Sequence, residues 1–316
     1  MTVPPPPSLN LFQRWWLAVR PKTLFASMAP VLVGCGVAIF HRGPFRLGAA
    51  LAALLVSVLF QIAANLINDV ADYAKGTDAH DRLGPTRVTQ AGILTPTQVW
   101  QGVGVIALLA AACGLYLTSL AGWGVILIGL SAALGAALYS LGPYPLSDYG
   151  LGDLFAMIFF GFVAVCGTVW VVSGTLPWAA WPAAVGVGAL VTAILVVNNI
   201  RDIETDRRAG RINLPIRFGR QAGETEYASM LLLAFAVPLL LFILLQGQVW
   251  LLLVYAAVPN ALRVFRLLRS AQSGPTFNQL LAKTSRLTFL YGGLLAAALA
   301  LSGLIPVQLF GFFTAK

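Results

Sequence analysis

Nine runs of about 20 mostly apolar residues, parted by short polar segments, leave this chain few ways to fold. They lie at about Thr23–Phe40, Leu47–Ile67, Gln98–Thr118, Leu120–Ser140, Leu151–Ser173, Trp178–Asn198, Ala228–Gln246, Val249–Val264 and Leu287–Phe310. Such runs cross a bilayer as helices, because lipid offers the backbone no hydrogen-bond partner. Charged residues make up 10% of the chain, against about 25% in soluble domains. The expected fold class is an all-α membrane protein with about nine transmembrane helices. A single polytopic domain is expected over 23–316, behind an N-terminal segment 1–22. Within that segment Phe12–Lys22 mixes aromatic and basic residues and predicts an interfacial helix. A charged start leading into a short apolar stretch and a small-residue cleavage site is not seen, so no cleavable signal peptide is expected. The eighth run is the weakest, because Pro259 and Asn260 interrupt it.

The net charge of +9 would suit nucleic acid on a soluble domain, but here the basic residues sit between the apolar runs. If the N-terminus is cytoplasmic, seventeen of the twenty Lys and Arg fall on the cytoplasmic side, and Arg42, Arg46 and Lys316 fall opposite. Cytoplasmic loops of membrane proteins carry such an excess, so the expected topology is N-in and C-out. No nucleic-acid partner is expected; the partner of the apolar surface is membrane lipid, by default that of a bacterial inner membrane.

All eleven acidic residues lie on that same side, and none is mid-span. A proton-coupled transporter would bury an acid near the midplane, so that class is disfavoured. The acids fall in clusters with helical spacing. After run two stand Asn65, Asn68, Asp69 and Asp72; after run six stand Asn198, Asp202, Glu204 and Asp206. Residues at i, i+3 and i+4 share a helix face, where like charges repel by a few tenths of a kcal/mol. A divalent cation would offset that repulsion. Mg²⁺ binds through one or two carboxylates plus substrate phosphates. Two facing Asp clusters flanked by Lys75, Arg82, Arg87, Arg207 and Arg208 suit a Mg²⁺-diphosphate. Glu224 and Glu226 show no such pattern and read as surface charges.

At these residues the chain resembles the UbiA superfamily of intramembrane aromatic prenyltransferases. The resemblance is carried by Arg20–Leu24, by Asn68-Asp69 through Asp78, by Asp81–Thr89, by Tyr139–Leu146 and by Asn198 through Arg211. Several motifs in fixed order are a far more specific signal than any one of them. The superfamily pattern has a third Asp four residues after Asp72, where this chain has Gly76, with Asp78 two further on. Gly142-Pro143-Tyr144-Pro145 replaces the pattern of the 4-hydroxybenzoate branch, and the likeness is greater to the branch that prenylates 1,4-dihydroxy-2-naphthoate.

The resemblance implies a UbiA-like helical bundle with cytoplasmic cap loops. It implies Mg²⁺ as cofactor and a prenyl diphosphate with 1,4-dihydroxy-2-naphthoate as substrates, joined with loss of CO₂. Asp69, Asp72, Asp78, Asp202 and Asp206 would hold metal, with Asp72 and Asp202 central to catalysis. Asn68 and Asn198 would orient carboxylates or a metal water. Lys75, Arg82, Arg87 and Arg207 would grip phosphate. Tyr139 and Tyr144 would shield the prenyl cation or simply mark the membrane interface; Arg201 is expected to balance Asp202. Other aromatic acceptors, a phytyl donor and a non-enzymatic prenyl-lipid binder or transporter remain alternatives. Gly102, Gly104, Gly186 and Gly188 lie within runs and predict close helix packing rather than phosphate loops.

Overall fold

The computed structural model describes residues 9–75, 84–141 and 145–309, which are almost wholly helical. Helix α1 is Leu11–Val19. Asn10 and Gln13 cap it reciprocally, each side-chain oxygen accepting from the other's backbone N–H. Leu11, Phe12 and Trp16 stand exposed along it, as an interfacial helix requires. The long helices follow: α2 Pro21–Phe40, α3 Leu47–Lys75, α4 Pro96–Ala121, α5 Gly124–Ser140 and α6 Gly152–Ser173. Then come α7 Ala180–Arg201, the short α8 Ile203–Arg208 and α9 Leu214–Phe218, and α10 Arg220–Leu244, α11 Val249–Ser270 and α12 Gly274–Leu304.

Eight of these are long and apolar enough to cross a membrane, against nine expected runs. The difference is α5, whose 17 residues rise about 26 Å and fall short of the ~30 Å hydrocarbon layer. Helix α3 departs the other way. Its 29 residues rise about 43 Å, so its last turns outrun the apolar layer. Asn65, Asn68, Asp69 and Asp72 therefore ride on the helix rather than in a loop behind it. Helix α12 likewise begins well before the expected Leu287. Its early Thr284 and Ser285 are buried and hydrogen-bonded, Thr284 to Tyr227 and Ser285 to the Lys22 carbonyl, so polarity hid helix from the hydropathy reading. Helix α11 starts as a 3-10 segment, Val249–Ala257, and turns α-helical at Val258. Pro259, lacking an N–H, sits in the first α-helical turn, where that donor has no intrahelical partner to lose.

Helix α7 is the central post, with Ala183, Val187 and Leu190 fully buried. A Cβ on Gly188 would lie 2.9 Å from the Cα of Gly161, in the π-helical turn Met157–Val163 of α6. A Cβ on Gly36 would lie 2.5 Å from the backbone of Ala296, locking α2 to α12. Small residues that let helix backbones meet are the usual glue of membrane bundles. Gly102 packs under Trp15 in the same way, whereas Gly104 meets nothing.

The two ends of the bundle differ. At one, Arg42 donates to the Gly303 carbonyl (2.6 Å) and Arg46 to the Leu120 carbonyl (2.9 Å). At the other lie the starts of α2, α10 and α12, the ends of α3 and α7, and every described acidic residue.

Candidate active site

At the end of α3 the two aspartates part company. Asp69 is buried and turned inward. Thr89 N–H donates to its Oδ1 and Val88 N–H to its Oδ2, both at 3.0 Å, and Arg20 Nη2 donates to Oδ2 at 3.3 Å. Arg20 joins α1 to α2 with φ of 54°, a left-handed conformation unusual for a residue with a Cβ. Asp69 thus pins that junction and the 84–95 segment to α3. The sequence reading expects Asp69 among the metal ligands; in this structure both of its oxygens accept from protein donors. Asp72, three residues on, faces the open side and takes Arg87 on Oδ2 and Arg211 on Oδ1 at 3.0 Å. Asn65 also departs from the expected face, donating to the Val19 carbonyl and Thr23 Oγ1. Asn68 is half-buried one turn before Asp72.

The second motif straddles a break. Asp202 closes α7 and opens α8, yet the i+4 backbone bonds run on through it. Asp202 N–H reaches Asn198 O (2.9 Å) and Asp206 N–H reaches Asp202 O (2.8 Å). Asn198, Asp202 and Asp206 therefore keep the shared face that the spacing predicts. Arg201 grips Asp202 with two nitrogens at 2.7 and 2.6 Å and donates a third to Asn278 Oδ1, matching the expectation that it balances Asp202.

Arg211 joins the motifs. Its Nη1 donates to Asp206 (2.9 Å), its Nη2 to Asp72 (3.0 Å) and its Nε to Asp148 (3.0 Å). Local sequence puts it there. Gly210, at φ 74°, follows the last turn of α8 in the left-handed region. Gly210 N–H then bonds Arg207 O, and Arg211 N–H bonds Asp206 O at 2.9 Å. That pair of bonds is a Schellman cap, and it turns Arg211 back over Asp206. Asp148 arrives on a 3-10 turn, Leu146–Tyr149, whose carbonyl accepts from Ile212 N–H (2.8 Å). Gly150, at φ 75°, ends that turn, and a Cβ there would meet Ile212 O at 3.0 Å.

The electrostatics follow from the crowding. Burial pushes the Asp206 carboxyl up to about 6 against the pull of Arg211, with Asp202 and Asp72 acting in the direction of burial. Burial also opposes the charge on Arg211, but Asp206, Asp72 and Asp148 more than offset it and hold its pKa above the ordinary value. Tyr139, at the end of α5, lies within electrostatic reach of Asp72, Asp206, Arg211 and Asp153. Glu224 pairs with Arg220 at 2.7 Å. Glu226 shares a side-chain hydrogen bond with Asp153, so it is not the plain surface charge that the spacing suggests.

Of the expected phosphate ligands, Arg87 is buried at the centre, while Arg207 stands half-exposed in a pair with Glu204. Asp78, Arg82 and Tyr144 lie outside the described residues, as does the side chain of Lys75. Sequence reasoning gave no role to Arg20, Asp148 or Arg211. The Gly210-Arg211 pair behind a helical Asp motif is a capping signal from which the last could have been found.

Among the described residues no three acidic, His or Cys side chains stand close enough to hold a metal ion by themselves. The donor set still fits Mg²⁺, which takes one or two carboxylates and completes its shell with phosphate oxygens and water. Asp72 and Asp206 are hard oxygen donors brought within the span of one guanidinium, and Asp202 is one turn away.

The chain belongs to the UbiA prenyltransferase family, whose family model matches residues 27–285. It is 35% identical over 290 residues to the 1,4-dihydroxy-2-naphthoate octaprenyltransferase of Mycobacterium tuberculosis, covering 92% of this chain and 97% of the relative. To the enzyme of that name from Escherichia coli it is 35% identical over 265 residues, covering 80% and 85%. Among solved structures it resembles a UbiA homolog from Aeropyrum pernix, with TM-score 0.68 and 18% identity over 86% of this chain and 96% of that one. A UbiA homolog from Archaeoglobus fulgidus bound to GPP and Mg²⁺ matches with TM-score 0.65 and 17% identity over 90% and 99%. The bundle is the UbiA fold, and the protein is a multi-pass membrane protein.

Proposed function

We propose that the protein transfers a prenyl group from a prenyl diphosphate to 1,4-dihydroxy-2-naphthoate, with loss of CO₂, at the acid centre between α3 and α8. The observation that carries this reading is the convergence of Asp72 and Asp206, from motifs far apart in the chain, on one guanidinium. The relatives named for this reaction support the choice of acceptor.

Asp72, Asp202 and Asp206 would hold Mg²⁺, with Asn68 and Asn198 orienting them. Bound there, Mg²⁺ would supply positive charge to the leaving diphosphate. Arg87 keeps Asp72 turned toward the centre from a buried position. Lys75, the last residue of α3, and Arg82 would meet the diphosphate. Tyr139 offers a ring face to the positive charge that grows on the allylic carbon as its C–O bond breaks. The naphthalene carbon bearing the carboxylate attacks that carbon, and the carboxylate departs as CO₂ with its bonding pair left in the ring. The acid-bearing end faces the cytoplasm of a bacterial inner membrane, consistent with the excess of basic residues there.

The test is direct. Detergent-purified protein receives Mg²⁺, a prenyl diphosphate, and either 1,4-dihydroxy-2-naphthoate or 4-hydroxybenzoate. A prenylated, decarboxylated naphthoquinol, lost with EDTA and with Asp72→Asn, supports the reading. Product from 4-hydroxybenzoate alone overturns the acceptor.

A further inference from the structure

We infer that Arg211 is a positioning residue that occupies the carboxylates of the acid centre in the metal-free protein and releases them when a divalent cation and diphosphate arrive together. The inference rests on the reading of Asp72 and Asp206 as holders of the metal.

Three guanidinium nitrogens meet three carboxylates from three separate elements, and the oxygens engaged include Asp72 Oδ1 and Asp206 Oδ1. A cation bound to those oxygens and the guanidinium in its present place exclude one another, by contact and by charge. Arg cannot escape by losing its proton. It must swing away, and a diphosphate gives it a new bidentate acceptor. The backbone allows that motion without unfolding. The Arg211 N–H is tied to Asp206 O and the next residue's N–H to Asp148 O, so the Cα stays fixed while the side chain moves. Free metal must therefore compete with Arg211, whereas metal with diphosphate does not. Arg211 makes the two bind cooperatively and offsets part of the charge of a half-buried carboxylate cluster between turnovers.

A merely structural arginine predicts weaker binding of everything when it is removed. The present inference predicts opposite signs. Metal-stripped full-length protein in detergent is titrated with Mn²⁺, followed by electron paramagnetic resonance, with and without inorganic diphosphate. Arg211→Gln should bind Mn²⁺ alone about tenfold more tightly than the native protein and lose about tenfold of the enhancement by diphosphate, a size expected of charge-assisted hydrogen bonds. Arg211→Lys, whose single ammonium cannot bridge three carboxylates, should fall between, and it serves if the Gln variant does not fold. Mn²⁺ binding to either folded variant that is unchanged or weaker overturns the inference. Native protein that takes up no Mn²⁺ even with diphosphate overturns the metal-site reading and the inference with it.

Discussion

The two aspartate motifs look alike in sequence and are used differently. In the first, Asp69 and Asp72 are three residues apart, and α3 is an unbroken helix there. Three residues turn a helix 300°, so the two side chains diverge by about 60°. That suffices to send Asp69 into protein, onto the N–H groups of Val88 and Thr89, while Asp72 faces the centre. In the second, Asp202 and Asp206 are four apart, about 40° on the other side of a full turn. Both stay on the open face, and the i+4 bonds carry the register across the break between α7 and α8. One motif thus turns one carboxylate into protein and one toward the centre, whereas the other keeps both on the open face.

The sharpest way to break this comparison is to neutralise the two aspartates that share Arg211. Asp72→Asn and Asp206→Asn should each lower turnover about a thousandfold, the size seen when one charge-stabilising group leaves a reaction centre, with thermal unfolding little changed. Asp69→Ala should behave oppositely. It strands the buried N–H groups of Val88 and Thr89 and takes one carboxylate from Arg20, and should cost about 3–5 kcal/mol of stability in a detergent unfolding assay. If it instead unfolds like native protein and loses Mn²⁺ binding, Asp69 is a ligand and the division of labour is wrong.

Asp202→Asn should stand between these. Turnover falls about tenfold to a hundredfold, and an Arg201/Asp202 double-mutant cycle in stability should return a coupling of about 1–3 kcal/mol. A coupling near zero would remove Arg201 as the partner that sets Asp202. The smallest effect belongs to Glu204, which lies inside the second motif but is 77% exposed in its pair with Arg207. Glu204→Gln should change stability by less than about 0.5 kcal/mol and leave turnover as it was. A large loss there would show that the whole acid run, rather than its inward face, handles the substrate.

Much of this was legible in the residues. Hydropathy placed nearly every long helix, because a span is a local property of about 20 residues. The i, i+4 spacing of Asn198, Asp202 and Asp206 placed them on one face, and Arg201 could be matched to its neighbour Asp202. The starts of α10 and α12 escaped, since amphipathic turns at the membrane edge carry too much polarity for a hydropathy window. The inward turn of Asp69 was not legible, because i, i+3 and i, i+4 pairs both count as one face until something packs against them.

By itself the sequence determined the membrane-spanning class, the clustering of acids at one end of the bundle and the two motifs that converge there. These rest on length, composition and helical period, which need no knowledge of neighbours. Only the tertiary structure decided which carboxylate is turned into protein and which meet at Arg211. Arg211 is 139 residues from Asp72 and 63 from Asp148, and no local rule couples such positions. The helices had to pack, with α7 at the centre, before one guanidinium could find all three.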